Sequence, residues 1–176
     1  LLMESRTSVR RITCHLLEQG RTLPGFIGDI SYAQSNRERY EGFCQALADA
    51  GKKVDSSLCL TTPLGIDTYR EEIDTFLSSL SRMPDAFVCA SDYVACILMQ
   101  LLEKRGLRVP EDVAVSGFDN NTEDLLAEHL TTVQVFNEEL GARLALQILY
   151  RIKYPNTPHE ITYLGTNVLY RDSTGD

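Results

Sequence analysis

Residues 84–120 read PDAFVCASDYVACILMQLLEKRGLRVPEDVAVSGFDN, and this stretch decides the fold. Residues 86–90 form a continuous apolar run, the pattern of a strand buried on both faces. Ser91 or Asp92 then supplies a side-chain oxygen for the free amides that open a helix. Ala95, Leu98, Met99 and Leu102 recur at three- and four-residue spacing, which puts one apolar stripe on that helix. Gly106 follows the last apolar position, where a left-handed helix stop favours it. Val109 and Pro110 turn the chain into a second apolar run, residues 113–118, ended by Asp119 and Asn120. Strand, helix and strand at this length make a right-handed crossover in a parallel sheet. Ser91, Asp92, Asp119 and Asn120 therefore gather at the carboxyl ends of strands, the edge where open α/β sheets bind ligands.

The rest of the chain repeats the alternation. Ser5 or Thr7 opens a helix to about Gln19, with Val9, Ile12, Leu16 and Leu17 on one face. Residues 23–28 read as a short strand ending in Asp29. Ser35 and Asn36 cap a helix in which Tyr40, Phe43, Leu47 and Ala50 share a face. A strand follows at residues 57–60, and a helix starts at Asp67 with Ile73, Phe76, Leu77 and Leu80 inward. After Asp119 come a polar loop with one helical turn at residues 123–127, a strand at 131–136, a helix at 137–152 and a last strand at 161–170. This order predicts the α/β class, with a doubly wound parallel sheet.

Composition narrows the function. The chain has 176 residues with a formal charge of −8, 43% hydrophobic and 24% charged residues, the balance of a soluble globular domain. Lys and Arg cluster no further than pairs such as Arg10-Arg11, so there is no concentrated positive surface for nucleic acid. Any DNA contact must come from another part of the protein. The five cysteines, Cys14, Cys44, Cys59, Cys89 and Cys96, lack metal-site spacing and fall mostly in apolar elements. They read as reduced core thiols of a cytoplasmic protein. No stretch approaches the ~20 apolar residues of a membrane span. No Gly-x-Ser-x-Gly elbow, phosphate loop or His-Glu-x-x-His motif is present. His15, His129 and His159 are scattered, and Asp92 and Asp119 have neither nucleophile nor metal partner, so ligand binding or capping suits them better than acid–base catalysis. No cofactor is expected.

Arg39 stands in the first turn of its helix, where a cation is disfavoured. Two readings remain open from the residues alone: a surface arginine paired with Glu38 or Glu41, or a charged fork reaching a ligand's oxygen atoms.

Several segments in order resemble the LacI/GalR family of transcriptional regulators. They are Arg39-Tyr40-Glu41-Gly42-Phe43, Ala90-Ser91-Asp92, the run VPEDVAVSGFD at 109–119, Leu130-Thr131-Thr132-Val133, Leu140-Gly141 and Arg171-Asp172-Ser173-Thr174. The resemblance implies the effector-binding domain of such a regulator, a type I periplasmic-binding-protein-like fold of two lobes. It implies that the chain starts inside the first lobe, the DNA-binding helix-turn-helix being absent. Residues 1–28 and 134–161 would be a partial N-terminal lobe, and 29–133 with 162–176 the C-terminal lobe. Arg39 and Asp119 match the residues that hold the effector, with Ser35, Ser91 and Asp92 lining the cleft; Ser91 replaces the commoner asparagine. Phe136 either stacks on a sugar or belongs to the core. The implied partners are a small-molecule effector (a sugar or sugar phosphate), operator DNA through the missing head, and a second copy, with no membrane. Cys96, Met99, Leu125 and Leu126 match the dimer interface, Cys96 and Met99 having plain core as the alternative. With so little of the first lobe, the apolar face of the helix at 137–152 should stay exposed and drive association or weak order. A solute-binding protein that delivers a sugar to a transporter is the alternative function, and an enzyme using Asp92 and Asp119 a second.

Overall fold

The computed structural model describes residues 1–65, 67–121 and 128–175. Strands β1 (Leu2–Met3), β2 (Pro24–Ile27), β3 (Cys59–Leu60), β4 (Ala86–Cys89) and β5 (Ala114–Ser116) alternate with helices α1 (Arg6–Glu18), α2 (Gln34–Asp49), α3 (Tyr69–Ser79) and α4 (Asp92–Lys104). Then follow β6 (Thr132–Gln134), α5 (Asn137–Lys153), β7 (Tyr163–Leu164) and β8 (Asn167–Leu169).

The main sheet is parallel, in the order β3-β2-β4-β5. Single bridges from Ser116 to Thr131 and from Asp119 to Gln134 bring β6 alongside β5, and β8 pairs antiparallel with β6. Alternation along β4 shows why both faces are covered. Ala86, Val88 and Ala90 face a core built with Val9, Ile12 and Leu16 of α1 and Phe43 and Leu47 of α2. Phe87 and Cys89 face the opposite core, built with Ile73 and Leu77 of α3 and Leu98, Leu101 and Leu102 of α4. The helix after β2 thus lies on one face and the helix after β4 on the other. The carboxyl ends of these adjacent strands form the crevice expected where the winding reverses.

Gly42 explains how α1 and α2 meet. A Cβ there would lie 2.2 Å from the Arg6 carbonyl oxygen, so only glycine lets the two backbones cross at this distance.

Several expectations are corrected. Ser35 and Asn36 do not cap α2, which starts at Gln34 with Ala33 at the cap position; Asn36 Nδ2 instead donates to the Asp29 carbonyl at 2.9 Å. Glu4, rather than Ser5 or Thr7, satisfies the start of α1, accepting from the Thr7 amide at 2.5 Å and the Ser8 amide at 3.3 Å. The last strand is broken into β7 and β8 by Gly165 and Thr166, and Thr166 turns inward to bond Ser8 and the Glu4 carbonyl. A lobe boundary at residue 28 would cut through the main sheet, because β2 pairs with both β3 and β4 while α1 packs on α2. The sheet and its helices draw in the chain from α1 onward. Outside them lie β1 with β7, and α5, which has no buried residue. Leu144 is 48% exposed and Ile148 52%, so the apolar face of α5 is open, as expected. Among the described residues, no helix is long and apolar enough to cross a membrane.

Candidate functional site

Arg39 rises from the second turn of α2 across the crevice and is only 5% exposed. It donates to the Ala90 carbonyl at the end of β4 and, at 3.4 Å, to Asp119 Oδ1 beyond β5. Its guanidinium carbon lies 3.7 Å from the centre of the Phe118 ring, a cation–π stack. The surface pair is not formed: Glu38 accepts from Gln34 and Tyr163 and Glu41 pairs with Arg6, while Arg39 turns to Ala90 and Asp119. The Arg39 Nε donor is buried with no hydrogen-bond partner among the described residues. An unfilled charged donor in such a place costs free energy until an acceptor arrives.

Asp119 faces Arg39 with its side chain 38% exposed. Burial pushes its carboxyl up to about 6, with Arg39 opposing and Asp92 reinforcing that shift. Burial also pulls Arg39 below its ordinary value, opposed by Asp119, then Asp92. Asp119 has φ 112° and Asn120 φ 51°, conformations that a side-chain-bearing residue holds only under constraint.

The constraint comes from Asp92. Its amide donates to the Phe118 carbonyl at 2.8 Å. Its Oδ1 accepts from the Thr132 hydroxyl at 2.5 Å and its Oδ2 from the Asn121 amide at 2.7 Å. Asn120 completes the frame: it receives Arg171 at Oδ1 at 2.9 Å and donates to Gln134 Oε1 at 2.6 Å. Gly117 is required here, since a Cβ would meet Asp92 Oδ1 at 2.2 Å. Asp92 is 2% exposed with both oxygens engaged, so it supports Asp119 from within the protein; burial raises its carboxyl despite these bonds.

The other predicted residues divide. Ser91 is half-buried and caps α4, its Oγ accepting from the Val94 amide at 3.3 Å. Ser35 is half-buried one turn before Arg39 on α2. Phe136 is 40% exposed just beyond β6, at the cap position of α5. Cys96 is 5% exposed inside the α3–α4 core, so the core reading holds for it. Met99 is half-buried and lines a surface groove with Leu107 and Val109. Leu125, Leu126 and the turn expected at 123–127 lie outside the described residues.

Sequence reasoning missed Asp29. Its carboxylate accepts from the Ser31 amide at 2.8 Å, the Ser31 hydroxyl at 2.6 Å and the Tyr32 amide at 3.1 Å, fixing the loop that leads into α2. Burial opposes its charge, but these bonds win and hold the carboxyl below its usual value. An Asp two residues before a Ser after a strand is the local signal that reveals such a turn. Arg171 and Thr132 had no such signal, being distant in sequence from the loop they hold.

A doubly wound sheet that changes helix sides beneath a charged crevice is the architecture of a ligand-binding α/β domain. The chain belongs to the periplasmic binding protein-like domain family, whose model matches residues 13–174. It is 35% identical over 130 residues to the HTH-type transcriptional regulator DegA of Bacillus subtilis (strain 168), spanning 73% of this chain and 38% of that one. Among solved structures it is similar to the transcriptional regulator CelR in complex with cellobiose, with TM-score 0.86 and 28% identity over 97% of this chain and 52% of that one. It is also similar to a LacI-family regulator from Sanguibacter keddieii DSM 10542, with TM-score 0.82 and 27% identity over 99% and 66% of the two chains. The chain spans about half the length of the curated relatives it matches.

Proposed function

We propose that this chain is the effector-binding portion of a LacI/GalR-type transcriptional regulator, a repressor whose operator affinity is set by a sugar-like small molecule. The observation that carries this reading is the buried Arg39, with an unfilled Nε donor, opposite the partly exposed Asp119. A guanidinium fork and a carboxylate can each engage two neighbouring hydroxyls, since a hydroxyl both donates and accepts. Phe136 covers the apolar face of the ring and Ser35 and Ser91 line the cleft, while Asp92 holds the Asp119 loop. The sheet with α1–α4 forms one lobe, and β1, β7 and α5 belong to the other. Effector bound between them changes their closure and so the population of DNA-competent dimers. The operator contacts lie in a helix-turn-helix outside this sequence. The regulator names of the relatives favour this role over delivery to a transporter, and over an enzyme.

The test is a titration of the chain with a panel of sugars, followed by Arg39→Ala. Loss of one charged hydrogen-bonding partner should weaken the best ligand by about 1.5–3 kcal/mol, roughly 10- to 150-fold. An unchanged dissociation constant rejects the assignment.

A further inference from the structure

Glu38 and Arg39 are neighbours on α2, yet they serve different parts of the molecule. Arg39 reaches the crevice, where it meets Ala90 and Asp119. Glu38 is 7% exposed, and its Oε1 accepts from Gln34 Nε2 at 2.8 Å and from the Tyr163 hydroxyl at 2.9 Å. Tyr163 stands on β7, outside the main sheet, in register with Leu2 of β1. Tyr163 is half exposed, so packing alone does not fix its hydroxyl. β7 also carries α5, because Gln147 donates to Thr162 Oγ1 at 3.4 Å and to Glu160 at 3.3 Å. The Tyr163–Glu38 bond therefore ties the unit of β1, β7 and α5 to the helix that bears the effector arginine.

The chain passes between that unit and the main sheet with its helices at residues 4–5, 135–136 and 165–166. Thr166 pins the first and last of these passages together. Its Oγ1 donates to the Glu4 carbonyl at 3.0 Å and lies 2.9 Å from Ser8 Oγ. A bond at the passages survives a rotation of one unit on the other, whereas a bond away from them does not. Tyr163 comes three residues before Thr166, and its side chain carries the hydroxyl to a distance on the order of 10 Å from the pin. A rotation of about 10° moves a group at that distance by about 2 Å, which takes a 2.9 Å bond past hydrogen-bonding range. The bond thus tolerates one angle between the units. It also opposes a pull on Arg39. Consecutive residues lie about 100° apart around a helix, so a shift of α2 that carries Arg39 further into the crevice draws Glu38 off Tyr163.

We infer that Tyr163 and Glu38 form a latch between the two units, which holds the crevice at one closure and works against the effector. This inference rests on the effector reading above and extends it to how that site is regulated. Closing on Arg39 releases the latch, so part of the effector's binding free energy is spent in breaking it. The latch also gives a role to a buried carboxylate that the Arg39–Asp119 site does not use.

The test uses the intact chain, with glucose, galactose, xylose, cellobiose, maltose and lactose as probes in calorimetric titrations. Tyr163→Phe removes the latch hydroxyl and keeps the ring, and the site is half exposed, so circular dichroism should show the variant folded. It should bind the best of these sugars about three- to tenfold more tightly than the parent, because closure no longer breaks the bond. Glu38→Gln should tighten binding less, since its amide oxygen still accepts from Tyr163. In the parent labelled with 3-fluorotyrosine, the Tyr163 fluorine resonance, identified by its loss in Tyr163→Phe, should move as the sugar saturates the chain. The sign separates a latch from a packing role, because lost packing weakens binding. Equal or weaker binding by Tyr163→Phe overturns the latch and leaves the effector reading intact, as does a Tyr163 resonance that stays in place at saturation. If none of the six sugars binds either protein, both readings fall.

Discussion

Replacing Asp92 by alanine separates a residue that touches the effector from one that holds the effector's partner in place. The substitution removes the acceptors of the Thr132 hydroxyl, at 2.5 Å, and of the Asn121 amide, at 2.7 Å. Thr132 is 1% exposed, so its hydroxyl loses its partner without gaining water, a cost of about 1–3 kcal/mol. Asn121 is exposed and recovers a solvent bond, and relief of the buried charge returns part of the total. The net loss is about 1–2 kcal/mol, or about 2–8 °C in melting temperature for a chain of this size. Asp92→Asn should lose less, because one oxygen still faces Thr132 while its new NH2 group opposes the Asn121 amide. Both variants should also weaken the effector, since Asp119 and Asn120 hold left-handed conformations only inside this frame. Thermal unfolding and ligand titration on the same samples read the two effects. A melting temperature within a degree of the parent, together with abolished binding, refutes the reasoning and makes Asp92 a direct ligand contact.

Four further outcomes follow from particular groups. Asp119 titrates near 6, so effector affinity should fall as pH drops from 7.5 to 5 and its carboxylate becomes a poorer partner for Arg39; Asp119→Asn should bind weakly with no such slope. The same raised value means that the folded chain holds this proton more tightly than the unfolded one. Stability from Asp119 is therefore present below its ordinary pKa and is lost as pH rises to about 6, which a urea series across pH checks against the asparagine variant. Gly42→Ala should cost about 2–3 kcal/mol in urea unfolding, because its Cβ would meet the Arg6 carbonyl at 2.2 Å and must part α1 from α2. Finally, the chain should self-associate with rising concentration in sedimentation, and Leu144→Glu with Ile148→Glu should return it to monomer, both residues being about half exposed on α5.

Much of the fold could be read from local pattern. The two apolar runs of the 84–120 stretch became β4 and β5, and Ser91 caps α4 as its side chain allows. Strand ends shifted by one or two residues, where apolar residues continue into the loops. The start of α2 was misplaced because Asn36 looked like a cap, while its side chain is drawn to the Asp29 carbonyl seven residues back. The lobe boundary was misplaced because nothing local in residues 24–27 says that they pair with 86–89 rather than with another sheet. At the site, Asp119 is marked by ending a strand, whereas the cue for Arg39 rested on the misplaced helix start: α2 begins at Gln34, so Arg39 lies in its second turn, where the dipole no longer disfavours a cation. The frame around them was illegible. Thr132, Gln134 and Arg171 reach the Asp119 loop only after the chain has folded, and Asp92 carries no mark that distinguishes a supporting carboxylate from a binding one.

The central claim is that Arg39 and Asp119 act together on one small ligand. A double-mutant cycle of Arg39→Ala and Asp119→Asn, read as effector dissociation constants, tests it most directly. Each single variant should lose about tenfold or more, and the double variant clearly less than the product of the two, because each partner's role depends on the other. Independent losses that simply multiply, or affinities equal to the parent's, contradict it.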